Sequence, residues 1–275
     1  VSLRDIKQKI RAVRNIEQIC RAMKTVASIR LHRAEERLDS SRPYRQRLGA
    51  LARRVAAVTQ DHPFLQSREV QRTGLVVVTS DRGLCGGYNA SVIRRAAAMG
   101  GPPNTAVIAV GRRGLQQMRR RGYSIIDQLV PLGGEPDAAQ VWRLAARIGE
   151  RYLAGEVDRV VLVYSRYLGA TRSEVVHETL LPVTPEEERS EETIFEPEPR
   201  LLLGGLLERH LRTEVLGAVL ESAASEHGAR VAAMTAATDN ADEMIRDLTL
   251  SYNKARQAAI TKELTEIVSA AEATR

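Results

Sequence analysis

The chain has 275 residues, of which 43% are hydrophobic and 27% charged but only 4% aromatic, enough for one or two domains whose cores are built from small and aliphatic side chains. Its unbroken apolar runs, such as Leu75 to Val78, fall far short of the roughly 20 residues of a membrane-crossing helix. The first residues lack an apolar stretch of signal-peptide length, and Asp5 and Glu17 argue against an organelle presequence. Cys20 and Cys85 belong to no Cys-x-x-Cys or Cys/His set, which disfavours a disulfide framework or a zinc site. A soluble or peripheral protein of a reducing compartment is expected.

The net charge is +7, and 36 of the 41 basic residues are arginine. The charge is split along the chain. Residues 1–60 carry 15 basic and 5 acidic side chains, residues 61–204 carry 18 of each, and residues 205–275 carry 8 and 11. A basic stripe of this density suits nucleic-acid phosphates, an anionic membrane surface, an acidic protein partner, or simply a solvated helix face.

From Leu3 the apolar residues Ile6, Ile10, Val13, Ile16, Cys20, Met23 and Ala27 recur at steps of three and four, the pattern of one stripe along a helix. No proline precedes Pro43, taken as a kink or a break, after which Leu48, Leu51, Val55 and Val58 resume the pattern. A helix from Leu3 to Val58 is roughly 80 Å long.

The middle alternates between strand and helix signals. Leu75–Ser80 reads as a buried strand ending in a glycine-rich turn, followed by helix (Asn89–Met99), strand (Ala106–Val110), helix (Gly114–Arg121), strand (Tyr123–Ile126), helix (Ala138–Leu153) and strands at Arg159–Ser165 and Val175–Leu181. This order predicts a mostly parallel sheet with helical cover, a Rossmann-like α/β unit. An acidic, proline-punctuated segment, Glu186–Glu198, then leads back. Beyond Gly204-Gly205, the residues Leu207, Leu211, Val215, Val219, Ala223, Val231, Met234, Ala241, Met244, Leu248, Tyr252, Ala255 and Ala259 trace a second stripe. That helix is about 100 Å long, with Gly217 and Gly228 as possible soft points. Neither stripe is buried alone, so the two chain ends are expected to pair as a long antiparallel coiled coil, the basic helix against the acidic one. The fold expected is α/β with a coiled coil, in three parts: residues 1–60, 61–204 and 205–275.

The sharpest motif is Ser80-Asp81-Arg82-Gly83-Leu84-Cys85-Gly86-Gly87, at a strand end where open α/β sheets place ligands. Its glycines do not form Gly-x-Gly-x-x-Gly, and no phosphate-loop motif occurs in the chain. A turn or a protein contact is the favoured reading, with nucleotide binding the minor one. Cys85 as a nucleophile needs a base in reach, and His32, His62, His177, His210 and His227 are scattered. Cys20 falls on the apolar stripe as a core residue. Asn89-Ala90-Ser91 matches a glycosylation acceptor of no consequence without export. Asp239, Asp242, Glu243 and Asp247 read as an acidic helix face rather than as metal ligands. No catalytic, cofactor or metal site is expected.

Three segments, Ile6–Arg33 (IKQKIRAVRNIEQICRAMKTVASIRLHR), TSDRGLCGG, and Met234–Val268 (MTAATDNADEMIRDLTLSYNKARQAAITKELTEIV), resemble the gamma subunits of F-type ATP synthases in order and spacing. The resemblance implies a rotor shaft of paired terminal helices inside a ring of alpha and beta subunits, with the α/β domain at its foot near epsilon and the membrane c ring. It implies that the nucleotide sites lie on beta. By motif, Arg256 and Gln257 in NKARQAAIT and Arg230 in HGARVAAM resemble shaft residues bonding to a loop of beta. Met23 and Lys24 in RAMKTVAS, and Cys85 in DRGLCGG, resemble positions near the acidic lever of beta. Thr193, Ile194 and Phe195, ahead of EPEP, are similar to the part near epsilon and the c ring. The missing presequence leads us to expect a bacterial complex, with the chain bound peripherally at the cytoplasmic face of the plasma membrane and without nucleic acid; its α/β part lacks the dithiol insertion of plant and cyanobacterial relatives, so redox control is not expected. Two rivals stay open on the residues alone. A nucleic-acid-binding coiled coil predicts a steep salt dependence, and an enzyme built on the glycine loop predicts ligand binding by the middle segment.

Overall fold

The computed structural model describes residues 2–59, 62–185, 196 and 198–273. Two helices far longer than the rest open and close the chain, α1 (Leu3–Val58) and α5 (Pro199–Ala273). Between them lie β1 (Thr73–Val78), α2 (Tyr88–Ala98), β2 (Thr105–Val110), α3 (Arg112–Arg120), β3 (Ser124–Leu129), α4 (Ala138–Leu153), β4 (Arg159–Gly169) and β5 (Arg172–Leu181). The chain divides into two compact units, one of Val1–Val26 with Val231–Arg275 and one of Ala27–Arg230.

The larger unit holds a five-stranded sheet of order β3-β2-β1-β4-β5. β1 pairs in parallel with β2 and β4, β2 in parallel with β3, and β4–β5 is an antiparallel hairpin. Every residue of β1 and β2 is buried, as sequence runs without alternation require when both faces are covered. The period of two still sorts them. Leu75 and Val77 pack with Val92, Ile93, Ala96 and Met118 under α2 and α3. Val76 and Val78 face Leu144 and Ile148 of α4, Val55 of α1 and Leu207, Leu211 and Val215 of α5. The sheet is therefore a middle layer, with α2 and α3 on one side and the inner ends of the long helices on the other.

β4 runs past its partner β1, which pairs only as far as Val163. The surplus backbone is satisfied by side chains of α5. Ser222 accepts from the Ser165 N–H at 3.4 Å, Ser225 donates to the Ser165 carbonyl at 3.0 Å, and Glu221 accepts from the Tyr167 N–H at 3.2 Å. These buried polar residues of α5 thus complete a strand.

Within this unit α1 and α5 run antiparallel. Gly49 lies beside His210 and Glu214, whereas Arg45, one turn earlier, lies over Gly217. Arg45 bonds Glu221 at 3.0 Å and approaches Glu214 at 3.8 Å; burial opposes its charge, and the two carboxylates outweigh that and raise its pKa. Leu31, Ala34 and Leu38 close the seam on Leu220 and Ala224, with Tyr167. In the smaller unit Arg21 reaches Asp242 at 3.4 Å. The basic helix does lie against the acidic one.

Three details differ from the sequence reading. Pro43 neither breaks nor ends α1; it is exposed, and the Ser40 and Ser41 hydroxyls donate back to the Arg37 and Leu38 carbonyls at 2.9 and 2.8 Å. The closing helix starts at Pro199 and passes straight through Gly204-Gly205. Gly217 and Gly228 are close-approach positions, not soft points. A Cβ on Gly217 would collide with the Arg45 side chain, and one on Gly228 would stand 2.6 Å from the Ala170 carbonyl oxygen.

The stripes also shift by one residue in places. Ile16 is 54% exposed and Glu17 turns partly inward; Met244 is 52% exposed and Ile245 is half-buried. A strict alternation of three and four, through Val13, Glu17 and Cys20 and through Ala241, Ile245 and Leu248, selects these positions over their more obvious neighbours.

Candidate functional site

β1 ends at Val78, and the chain turns through residues 79–87 before α2. Thr79 holds the turn to the next strand, its hydroxyl donating to the Val110 carbonyl at 3.0 Å and accepting from the Gly114 N–H at 2.8 Å. Ser80 and Asn89 share a hydrogen bond of about 3 Å, and Asn89 Nδ2 donates to Cys85 Sγ at 3.2 Å. Cys85 is 1% exposed, and burial pushes its thiol pKa up despite the nearby Arg230. That is the opposite of an activated nucleophile.

With Cys85 turned in, the loop shows Leu84 outward. Leu84 is 62% exposed and has φ 61°, the one positive-φ residue other than glycine among the described residues. An apolar side chain displayed in a left-handed conformation is uncommon. Arg82 is exposed beside it, and the Arg113 side chain lies against Gly83.

Arg230 of α5 braces this loop. Its Nη2 donates to the Gly83 carbonyl at 3.2 Å and pairs with Glu226 at 2.7 Å, and its Nη1 lies 3.2 Å from His227 Nδ1. Burial and then the charge of Arg230 lower the His227 pKa to about 4, so its neutral ring accepts a hydrogen bond from the Arg230 guanidinium. Burial raises the Glu226 pKa, and Arg230 offsets only part of that. Tyr88, beneath the loop, is also buried, which raises its pKa.

The expected contact residues therefore divide. Cys85 and Arg230 come together in the larger unit, both buried, as the frame of the loop. Met23, Lys24, Arg256 and Gln257 belong to the smaller unit; Met23 is half-buried, and Lys24, Arg256 and Gln257 are exposed. Since Arg21 stands opposite Asp242, Met23 lies level with about residue 240 and Arg256 stands about 24 Å further along the helix at 1.5 Å per residue. These two pairs do not form one site. Thr193, Ile194 and Phe195 lie outside the described residues.

Sequence reading singled out neither Leu84 nor Glu226, and it named His227 only as one of five scattered histidines. The only signal for Leu84 was its place between glycines in RGLCGG, and no motif marked the burial of Glu226 and His227. It also missed the far end of α5. Counted from Arg21 opposite Asp242, the first residue of α1, Leu3, stands level with about residue 260. Beyond that, Leu264 and Ile267 are 58% and 65% exposed.

Comparison with known proteins agrees with this architecture. The family model described as ATP synthase matches residues 2–274. The ATP synthase gamma chain of Heliobacterium modesticaldum is 42% identical over 285 residues, covering 98% of each chain. That of Desulforamulus reducens is 43% identical over 279 residues, covering 99% of each. Among solved structures, a chain from the OSCP/F1/c-ring structure of the Euglena gracilis mitochondrial ATP synthase has a TM-score of 0.71 at 20% identity, covering 99% of this chain and 94% of that one. A chain from the central stalk/c-ring structure of the Tetrahymena thermophila mitochondrial ATP synthase has a TM-score of 0.62 at 23% identity, covering 80% and 99%. At these identities the structural likeness is one of fold.

Proposed function

Because the chain belongs to the gamma-chain family of ATP synthase, we propose that it is the central-stalk rotor subunit, coupling proton-driven rotation of the c ring to conformational change at nucleotide sites on beta. The full-length likeness to gamma chains carries this reading, and it favours the rotor over a nucleic-acid-binding coiled coil. The partners are alpha and beta in the head, and epsilon and the c ring at the foot. In this reading the subunit is not itself catalytic, and it is bound peripherally at the cytoplasmic face of the bacterial plasma membrane. Among the described residues no helix is long and apolar enough to cross a bilayer.

The physical requirement is differential contact. Driving one beta subunit from a 1:99 to a 99:1 balance of two conformations takes about 5.5 kcal/mol of interaction made with one state and not the other. A helix pair turning off its axis supplies this by presenting a different face to each beta in turn. In our reading Arg256 and Gln257 bond a loop of beta, and Met23 and Lys24 meet its acidic lever. The loop framed by Cys85 and Arg230 meets the lever through Leu84 and Arg82, which are the side chains it exposes. Arginine suits such contacts because its charge is permanent and its planar fork bonds carboxylates in pairs. Thr193, Ile194 and Phe195 are assigned to the epsilon and c-ring side. By linkage, ATP hydrolysis in the head turns the same shaft in reverse.

Mixing the purified chain with alpha and beta subunits tests this proposal. Assembly of a complex whose ATP hydrolysis exceeds that of alpha and beta alone is expected; failure to assemble, or assembly without stimulation, contradicts it.

A further inference from the structure

From residue 82 to residue 126 the chain contains no aspartate or glutamate, but eight arginines. This stretch spans α2 and α3, the layer on the side of the sheet away from α1 and α5. α3 carries Arg112, Arg113, Arg119 and Arg120, with Arg121 just beyond, and all five are exposed. None of the five is in an ion pair among the described residues, whereas Arg147 and Arg151 of α4 engage Asp127 and Glu156.

The helix dipole accounts for part of this pattern only. Cations suit the C-terminal turn, where Arg119 to Arg121 stand. Arg112 and Arg113 stand in the first turn, where the dipole opposes them, and no acidic residue shares that turn. Asp81 caps the backbone there, accepting from the Arg112 and Gly133 N–H groups at 3.0 Å, but pairs with neither guanidinium.

Arg112, Leu115, Gln116, Arg119 and Arg120 follow the i, i+3, i+4, i+7, i+8 spacing of one helix face. With Val130 they line an open groove of about 440 Å³. Its floor is Leu115 and Val130, its rim is three guanidiniums, and among the described residues no carboxylate lines it. Arg112 and Arg119 are seven residues apart, about 10.5 Å along the axis, which is two turns of a helix laid alongside.

We propose that this groove docks an acidic amphipathic helix of a partner protein, with an apolar side chain over Leu115 and Val130 and carboxylates one turn to either side, facing Arg112 and Arg119/Arg120. A helix matches the two-turn repeat, the apolar floor takes its buried face, and the rim selects its charge. The groove lies in the outer layer, so this inference does not depend on the rotor reading.

The test uses the full chain and a fluorescent helical peptide with glutamate at the positions matching Arg112, Arg119 and Arg120 and leucine at the one matching Leu115. Saturable binding is expected, and Arg119→Glu should weaken it about tenfold or more, one decade per lost contact of 1.4 kcal/mol. Its melting midpoint should match the parent, because Arg119 is exposed. A peptide with the facing glutamate changed to arginine should restore binding to Arg119→Glu but not to the parent. Three results overturn the proposal: no binding, no rescue by the swapped pair, or equal binding of unstructured polyglutamate, double-stranded DNA or phosphatidylglycerol vesicles, which marks general attraction to polyanions.

Discussion

Arg230, deep in the long C-terminal helix, donates to the carbonyl of Gly83 in the loop after the first strand, across 147 positions of sequence and 3.2 Å of space. The same guanidinium pairs with Glu226 at 2.7 Å. One buried charge thus ties the glycine loop to the shaft helix. Removing one partner of a buried ion pair costs about 3 kcal/mol or more, because the other is stranded. Arg230→Ala should therefore lower the unfolding free energy in urea by about that much, and Arg230→Met with Glu226→Leu should recover most of it. A loss below about 0.5 kcal/mol in the single variant, the scale of an ordinary surface change, contradicts the assignment.

Gly228→Ala should destabilise the chain by about 1–3 kcal/mol, since its Cβ would stand 2.6 Å from the backbone oxygen of Ala170. On helix propensity alone the same change would stabilise by about 1 kcal/mol. The sign of the shift in a thermal melt decides between the two.

His210 and His227 set a pH dependence. Both are buried, at 7% and 4% exposure, and burial first, then neighbouring arginines, lower each pKa to about 4 from 6.5. Between those values the unfolded chain takes up the proton and the folded chain does not. Stability should therefore fall as pH drops from about 6.5 to about 4, by up to about 3 kcal/mol per histidine. Glu214 and Glu226, whose pKa values burial raises, act in the other sense: their protonation favours the fold at low pH, and that support is lost as pH rises through their folded values. Comparing the parent with His210→Gln isolates one histidine. The gap between their unfolding free energies should change across this window, and a constant gap contradicts the account.

Met244→Pro should cost about 3 kcal/mol or more by breaking the helix ladder, while Met244→Ala stays within about 0.5 kcal/mol because the side chain is largely exposed. Urea unfolding of the two variants separates backbone from side-chain effects. In the complex only the proline variant should uncouple proton pumping from ATP hydrolysis.

Arg256→Ala and Gln257→Ala should leave the melting of the free chain unchanged, as both side chains are exposed. Each should slow ATP turnover in the complex with alpha and beta. Unchanged turnover in both would remove these residues from the coupling contact.

Much of this molecule was legible in its sequence because its elements announce themselves by period. The helix Ala138–Leu153 has the bounds its apolar spacing gives, and Asp137 caps it, accepting from the Ala139 N–H at 2.9 Å. The buried strands read as unbroken β-branched runs because both faces are covered. Errors arose where two neighbours competed for one position, as with Ile16 against Glu17, since hydrophobicity marks the apolar residue and only the partner helix fixes the phase. The glycines misled for a related reason: propensity counts their cost within a helix, not the side chain or backbone that presses against them. At the loop, the motif located the turn but not which side chain faces outward, because the inward turn of Cys85 depends on Asn89 and the outward turn of Leu84 on a left-handed backbone.

The central claim is that this chain turns inside its partners. With both native cysteines buried, Glu174→Cys on an exposed strand position gives one reactive handle for a bead or dye. Observed one molecule at a time in complex with immobilised alpha and beta subunits, the label should revolve in one direction while ATP is hydrolysed and stop when it is withdrawn. A label that stays fixed while the complex turns over ATP at its full rate would contradict the account.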